Sequence, residues 1–277
     1  MVVVNPIEEL GSRAAKCLRA DSSGTVEAVF PSTVYLRARD GARACLVPSH
    51  VESGPLHAKV GNAWQGPTSA VAVGHSWHLS ANVLMVGTSG FCTKQAKEWR
   101  PPEHPYPATE TADICTWLRG APTHTLAHVI TRPHNPLSPG DWRHRGSVEL
   151  RRLIAWLNKP HSGSTPTGLI GLGPGLSPSG DDILGGLSMV LRGRNDPRAD
   201  WLGKAISARL SETHPLSAAH LEAALAGEAC EALHFVALSR ASGHPIAKAI
   251  LQRIGAVGSH SGWDMLLGAA LLDLSEV

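Results

Sequence analysis

The chain has 277 residues, of which 43% are hydrophobic and 17% are charged. This length allows one or two domains with a sizeable core, and the composition excludes a wholly disordered chain. Lys and Arg number 25 against 23 Asp and Glu, which gives a formal net charge of +2. Such a balance offers no electrostatic reason to expect binding to nucleic acid or to an anionic membrane.

The N-terminal sequence and the cysteines favour a cytoplasmic protein with reduced thiols. Pro6, Glu8 and Glu9 interrupt the first apolar run, so no signal peptide is predicted. No apolar stretch approaches the ~18 residues that a membrane span needs. The five cysteines are scattered and form no C-x-x-C pair, so neither a zinc ribbon nor a disulfide framework is indicated.

Residues 1–100 are predicted to form a β-rich domain. Short segments there are rich in β-branched or aromatic residues, and turn residues separate them. The Asp40-Gly41 pair predicts a hairpin turn. Several short strands with frequent turns favour a small barrel or a sandwich. The predicted strands span residues 26–30, 33–38, 44–47, 71–74 and 82–87.

A proline-rich segment begins at Arg100, and residues 101–145 are predicted to be a linker with short helices. Apolar residues then recur with helical spacing, so residues 146–277 are predicted to form a mainly helical domain. The fold class is therefore α+β. The predicted helices span residues 148–157, 201–210, 217–225, 229–238 and 246–254.

The strongest local pattern is a glycine-rich loop that leads into an apolar helix, GLGPGLSPSGDDILGG at residues 171–186. Ser179 followed three residues later by Asp182 predicts a capping box at the helix start. Residues 183–191 are apolar nearly all round, which predicts a buried helix. The Gly185-Gly186 pair predicts close approach of another backbone.

A similar pattern recurs 82 residues later. The run SGDDILGG from Ser179 aligns with SGWDMLLG from Ser261, and five of the eight positions are identical. Leu172-Gly173 aligns with Ile254-Gly255 at the same offset. These matches predict a pseudo-repeat in the helical domain, with two loop-to-helix segments related by a local pseudo-dyad.

Such helix starts can bind anions. The first helical turn has unpaired amides and a partial positive charge, and glycines allow a ligand to approach. If both helix starts face one cleft, they form a site for a dianion or for two anionic substrates. Asp181, which the cap does not need, would then hold a metal, orient an amide NH2 or act as a base. The structural alternative is that both segments only cap buried helices.

The 171–186 run resembles the signature of the bacterial family DUF2877, which includes a subunit of oxamate carbamoyltransferase from anaerobic allantoin degradation. Ser177 stands where the family pattern has threonine, which keeps the hydroxyl. The segments GSHSGWD at 258–264 and THPLS at 213–217 resemble further family segments. The resemblance implies a role in handling carbamoyl phosphate, oxamate or a similar small anion, with two other kinds of transferase subunit as partners.

The motifs and the resemblance together predict a carbamoyltransferase-type protein or subunit. Asp181, Asp182 and His260 are the candidate catalytic residues. No metal ligand is assigned and no cofactor is firmly predicted, with Mg²⁺ left open. The chain is expected to form an oligomer. The predicted substrate-binding residues are Gly173, Gly175, Ser177, Ser179, Gly180, Ser259, Ser261 and Asp264.

Two other functions remain open. The chain is alternatively a non-catalytic assembly or binding subunit of a multi-subunit transferase. It is alternatively a stand-alone, metal-assisted amidohydrolase that uses the aspartate pair. His124 and His128 have the i, i+4 spacing that suits a metal on one helical face, but ordinary partly buried histidines are the preferred interpretation.

Overall fold

The computed structural model describes residues 4–103, 106, 117–132, 137–138, 140–159, 165–241 and 248–275. The chain divides into two compact units, Met1–Pro101 and Pro102–Val277. The fold is α+β, with a β-barrel in the first unit and helices in the second. Within the predicted linker, residues 101–145, the described part contains the short helix Leu126–Thr131, helical residues at 117–118 and the beginning of a longer helix at Trp142.

The first unit is an eight-stranded barrel. The strand order is β5-β4-β3-β2-β6-β7-β8-β1, and pairing of β5 with β1 closes the ring. Strand β9 adds to β1 in parallel. The core includes Val26, Leu36, Leu46, Trp77 and Phe91, all nearly inaccessible to solvent. The elements are β1 (Val4–Gly11), α1 (Ser12–Cys17), β2 (Ser23–Phe30), β3 (Thr33–Ala38), β4 (Arg43–Pro48), β5 (His57–Val60), β6 (Ser76–Ser80), β7 (Val83–Val86), β8 (Ser89–Cys92) and β9 (Lys97–Trp99).

Four of the five predicted strands are confirmed, together with the hairpin at Asp40-Gly41. Gly41 has a φ of +89°, as a tight turn requires. The strand predicted at 71–74 is wrong because that segment is a turn, in which Gly74 has a φ of +85°. Val71 is nevertheless buried, so its apolar character reflects packing against the barrel and not strand pairing.

The second unit is built from helices around one apolar core. The five helices predicted beyond residue 145 are each present, with ends shifted by a few residues. In the helix Trp142–Asn158, apolar residues at helical spacing are buried, at Leu150, Leu153 and Leu157. The helices are α2 (Leu126–Thr131), α3 (Trp142–Asn158), α4 (Ser179–Gly193), α5 (Arg198–Ser207), α6 (Pro215–Leu225), α7 (Glu231–Ala241), α8 (Lys248–Gly255) and α9 (Ser261–Ser275).

Helix α4 is central to this unit. Every one of its residues except Arg192 is buried, as the all-round apolar sequence predicts. It packs against α9, α6 and α5. Because α4 and α9 both begin with a Ser-Gly pair and pack together, the two motifs of the sequence meet in one part of the unit.

Candidate functional site

Helices α4 and α9 are in close backbone contact at two glycines. A Cβ atom at Gly186 would lie 2.0 Å from the carbonyl oxygen of Met265, and one at Gly268 would lie 2.0 Å from that of Ile183. Any side chain would clash at these distances, so only glycine permits the contact. The two glycines are 82 residues apart, and the two residues whose carbonyl oxygens they face are also 82 residues apart. The two contacts are therefore reciprocal. Reciprocal contacts are the signature of a local two-fold relation.

The second residue of each helix is also a closely packed glycine. A Cβ at Gly180 would lie 1.9 Å from the carbonyl oxygen of Leu169, and a Cβ at Gly262 would lie 1.9 Å from that of Ile254. Both helix starts therefore contain a glycine packed against a backbone carbonyl, although Leu169 and Ile254 are not counterparts in the 82-residue repeat. A Cβ at Gly185 would lie 3.6 Å from the Ala224 methyl, which is an ordinary contact. The predicted close approach is therefore correct for Gly186 and wrong for Gly185.

Helix α4 begins without the predicted capping box. Pro178 is the N-cap residue, Ser179 is already helical, and no side chain accepts a capping hydrogen bond. Asp182 instead accepts a 2.6 Å hydrogen bond from the Ser177 hydroxyl. The capping-box prediction is wrong because Pro178 takes the N-cap position. The proline ring fixes its φ, here −58°, in the range that an N-cap residue tolerates. The helix therefore begins at Ser179, and its hydroxyl is left for other contacts.

The first amides of α4 bond within the chain. The Gly180 amide donates to the carbonyl oxygen of Leu172 at 2.8 Å. The amides of Asp181 and Asp182 donate to the carbonyl oxygen of Pro178 at 2.9 Å and 3.1 Å. The Gly180 amide was predicted to bind an anion, and the structure shows it occupied.

Asp181 ties the glycine-rich loop to helix α6. One carboxylate oxygen accepts a 2.8 Å hydrogen bond from the Gly171 amide. The other accepts from the hydroxyls of Thr213 and Ser217. Asp181 is 2% exposed. Thr213 and Ser217 were not among the predicted site residues, although both lie in the THPLS segment that the family resemblance picked out.

Asp182 and Asp264 place two buried carboxyl groups where the helix starts meet, with exposures of 8% and 0%. Burial raises the pKa of Asp182 well above its usual value, and the charge of Asp264 raises it further. The hydrogen bond from Ser177 lowers this pKa but does not outweigh burial. Burial also raises the pKa of Asp264 to about 7. Neighbouring carboxyl groups with raised pKa values titrate together and retain protons near neutral pH.

The serine that begins each helix faces the carboxyl group of the other helix. Ser179 lowers the pKa of Asp264, and Ser261 lowers that of Asp182, so these interactions repeat the reciprocal relation. Ser179 Oγ, Asp182 Oδ2 and Asp264 Oδ2 are all buried, and apart from the serine–carboxyl contacts just named, which fall outside normal hydrogen-bond geometry, they have no hydrogen-bond partner. Buried polar atoms are nearly always satisfied in native proteins, so unsatisfied atoms at one place point to a bound water or ligand group.

Helix α2 and His260 border this carboxyl pair. Asp264 Oδ1 accepts a 3.2 Å hydrogen bond from the Ala127 amide, and its Oδ2 lies 3.7 Å from His260 Nδ1. Burial lowers the pKa of His260, and the nearby His124 lowers it further, so the imidazole is neutral at pH 7. The His124 and His260 rings have centroids 5.8 Å apart. His124 precedes α2 and His128 lies within it, so the two do not share one helical face.

The structure brings six of the predicted residues together and leaves others at exposed loop positions. Gly175 and Ser259 are exposed. Gly173 has a φ of +127°, and a Cβ there would lie 2.7 Å from the Ser179 nitrogen, so Gly173 packs directly on the helix start. The six residues that converge are Ser177, Ser179, Asp182, His260, Ser261 and Asp264.

The described residues contain no group of three or more His, Cys, Asp or Glu side chains placed to hold a metal ion. In the same ranges, no helix combines the length and the apolar character needed to cross a membrane.

Residues 169–272 match the model of a family described as oxamate carbamoyltransferase subunit AllH. The helical unit is similar to AllH. This match confirms the family resemblance seen in the sequence and supports a carbamoyltransferase-associated subunit. The AllH match contains both helix starts and the Thr213–Ser217 segment, and it lies outside the barrel. No curated protein and no solved structure gives a match to the chain.

Proposed function

We propose that this chain is an AllH-like subunit of a carbamoyltransferase, and that the Asp182–Asp264 pair binds the carbamoyl or amide group of a small anionic substrate. One observation carries the proposal: unsatisfied buried oxygens of Ser179, Asp182 and Asp264 converge where the two helix starts meet, inside the region that matches the family. Asp182 is 8% exposed, and its neighbours Ser177 and Ser261 are half-buried.

The chemistry of the pair favours a neutral NH2-bearing group. Two carboxyl groups that retain a proton offer both an acceptor and a donor. A carbamoyl group or a primary amide presents the complementary NH2 donor and carbonyl acceptor. An anion is a poorer fit at this point, because Asp181 is a third carboxyl group nearby and the amides of residues 180–182 are occupied. Binding by the Gly173 and Gly175 amides stays a prediction.

The raised pKa values suggest different roles for the two carboxyl groups. Transfer from carbamoyl phosphate to oxamate forms a bond from the oxamate nitrogen to the carbamoyl carbon. The carbon–oxygen bond to phosphate breaks, the electron pair leaves with phosphate, and the nitrogen loses a proton. Asp264, with a pKa of about 7, is suited to accept that proton. Asp182 keeps its proton and donates to the carbonyl oxygen, while Asp181 positions the loop.

The test is carbamoyl transfer by the full chain purified together with the subunits it associates with in its host. Carbamoyl phosphate and oxamate are supplied, and oxalurate and phosphate are measured. Replacing Asp182 or Asp264 with asparagine is expected to lower kcat at least ~100-fold, the usual loss when a general acid or base is removed. Asp200→Asn, which changes a carboxylate of which 67% is exposed, is the matched control and is expected to leave kcat unchanged.

The outcomes separate the alternatives. Asparagine variants that assemble normally and keep the wild-type kcat would contradict the proposal and favour a non-catalytic assembly subunit. Chelator-sensitive amide hydrolysis by the isolated chain, without carbamoyl transfer, would favour the stand-alone amidohydrolase.

A further inference from the structure

A cavity of about 210 Å³ lies beside helix α2, next to the carboxyl pair but separate from it. Its volume suits a small ion or the end of a small molecule, since drug-sized ligands occupy roughly 300–1,000 Å³. None of the described residues that line it is acidic, and the polar ones are cationic or hydrogen-bond donors: Thr123, His124, His128, Arg132 and Arg143.

The two arginines of the cavity differ in their partners. Arg143 is held in place because it bonds to both carboxylate oxygens of Asp141 and to the backbone carbonyl of Thr123. Its charge is therefore already paired, and the Arg143 guanidinium lowers the pKa of Asp141 to about 2. The guanidinium of Arg132 is exposed and makes no hydrogen bond or ion pair with any residue in the described ranges. Arg132 thus contributes an uncompensated positive charge to the cavity.

His128 adds a second observation that points to a ligand. The residue is 3% exposed, and its Nδ1 lies 3.3 Å from the carbonyl oxygen of Ala121, so Nδ1 carries a proton. Its Nε2 is buried and has no hydrogen-bond partner. The helix that carries His128 is held by Thr125, whose hydroxyl oxygen accepts from the His128 amide at 3.0 Å. His128 therefore adds a buried, unsatisfied polar atom to a residue that lines the cationic cavity.

We infer that this cavity binds a small oxyanion, the phosphate or carboxylate end of a ligand, with Arg132 supplying the charge and His128 Nε2 a hydrogen bond. Guanidinium groups bind both oxyanions through paired N–H donors. With Nδ1 protonated, Nε2 is a hydrogen-bond acceptor, which a phosphate oxygen that carries a proton matches as a donor. The apolar side chains of Val129 and Leu137 complete the walls and reduce competition from water.

The cavity lies where it can serve the proposed function. The identification of its ligand rests on that proposed function. Helix α2 connects the two sites, because the Ala127 amide donates to Asp264 and the next residue, His128, lines the cavity. His124 also lines the cavity, and its ring contacts that of His260. Carbamoyl phosphate and oxamate each carry an NH2 group at one end and an oxyanion at the other. The carboxyl pair and the cationic cavity match these two ends.

Calorimetric titration of the full chain with inorganic phosphate and, separately, with oxamate tests the inference, with chloride as the non-oxyanion control. At least one of the two is expected to bind with a dissociation constant of ~1 mM or tighter, a range typical of weak specific ligands. Arg132→Gln is expected to weaken that binding at least ~10-fold, because it removes the uncompensated charge. Since Arg132 is exposed, this variant is expected to fold normally.

Arg145→Gln is the control variant, because Arg145 is also exposed in the same unit but does not line the cavity. Binding of phosphate that depends on Arg132 would identify a phosphoryl subsite, and such binding of oxamate would identify a carboxylate subsite. Failure of both anions to bind, or equal affinity of the wild type and Arg132→Gln, would overturn the inference. Because these titrations need no partner subunit and no turnover, their result is separate from that of the transfer assay.

Discussion

Gly186→Ala is expected to destabilise the helical unit by about 3 kcal/mol or more, at the upper end of overpacking effects. The new methyl group would lie 2.0 Å from the carbonyl oxygen of Met265, so α4 and α9 would have to separate. Both helices are buried along their contact, and separation would open the core between them. Urea unfolding followed by far-UV circular dichroism measures the loss.

Gly185→Ala is the matched control for this prediction. It makes the same chemical change one residue earlier in the same helix, where the methyl group would meet Ala224 at an ordinary 3.6 Å. Alanine favours helix over glycine by about 1 kcal/mol, so this variant is expected to be as stable as the wild type or slightly more stable. Equal stability of the Gly185 and Gly186 variants would contradict the reciprocal packing of α4 and α9.

Asp264→Asn is expected to make the protein more stable at about pH 8, by up to about 4 kcal/mol for a pKa shift of this size. The Asp264 carboxyl has a pKa of about 7 in the native state against an ordinary value of 3.8. The native state therefore binds more protons than the unfolded state between these two values, and stability falls as pH rises through this range. Asparagine is uncharged and can still accept the hydrogen bond from the Ala127 amide.

The measurement is the free energy of unfolding at several pH values from about 4 to 8, the range over which the linkage acts. The wild type is expected to lose stability towards high pH, and Asp264→Asn to lose less. A residual slope is expected from Asp182, whose pKa is also raised. Asp200→Asn should follow the wild-type curve, since most of that carboxylate is exposed. Parallel curves for the wild type and Asp264→Asn would show that Asp264 is not a buried acid with a raised pKa.

The sequence predicts local features of this fold well, because they depend on short-range patterns. The apolar sequence of α4 predicts its burial, and the repeated Ser-Gly-x-Asp pattern predicts two similar helix starts. The spacing of Gly186 and Gly268 is the strongest part of that signal, since only glycine fits where the two backbones meet.

Other features depend on contacts that no local pattern contains. Asp181 is held by Thr213 and Ser217, which are more than thirty residues away, so its fixed position could not be read from the motif. Barrel closure depends on pairing of β1 with β5, which is a short strand of mixed polarity. The capping prediction is wrong because the proline before Ser179 already provides an N-cap conformation.

The central claim is that the two helix starts form one functional site, and a double-mutant cycle on carbamoyl transfer tests it most directly. Asp182→Asn, Asp264→Asn and the double variant are compared with the wild type in the purified complex. Groups that act as a unit are strongly non-additive, so the account predicts that the double variant is about as slow as the slower single variant. Losses in kcat that multiply, or single variants with wild-type kcat, would contradict it.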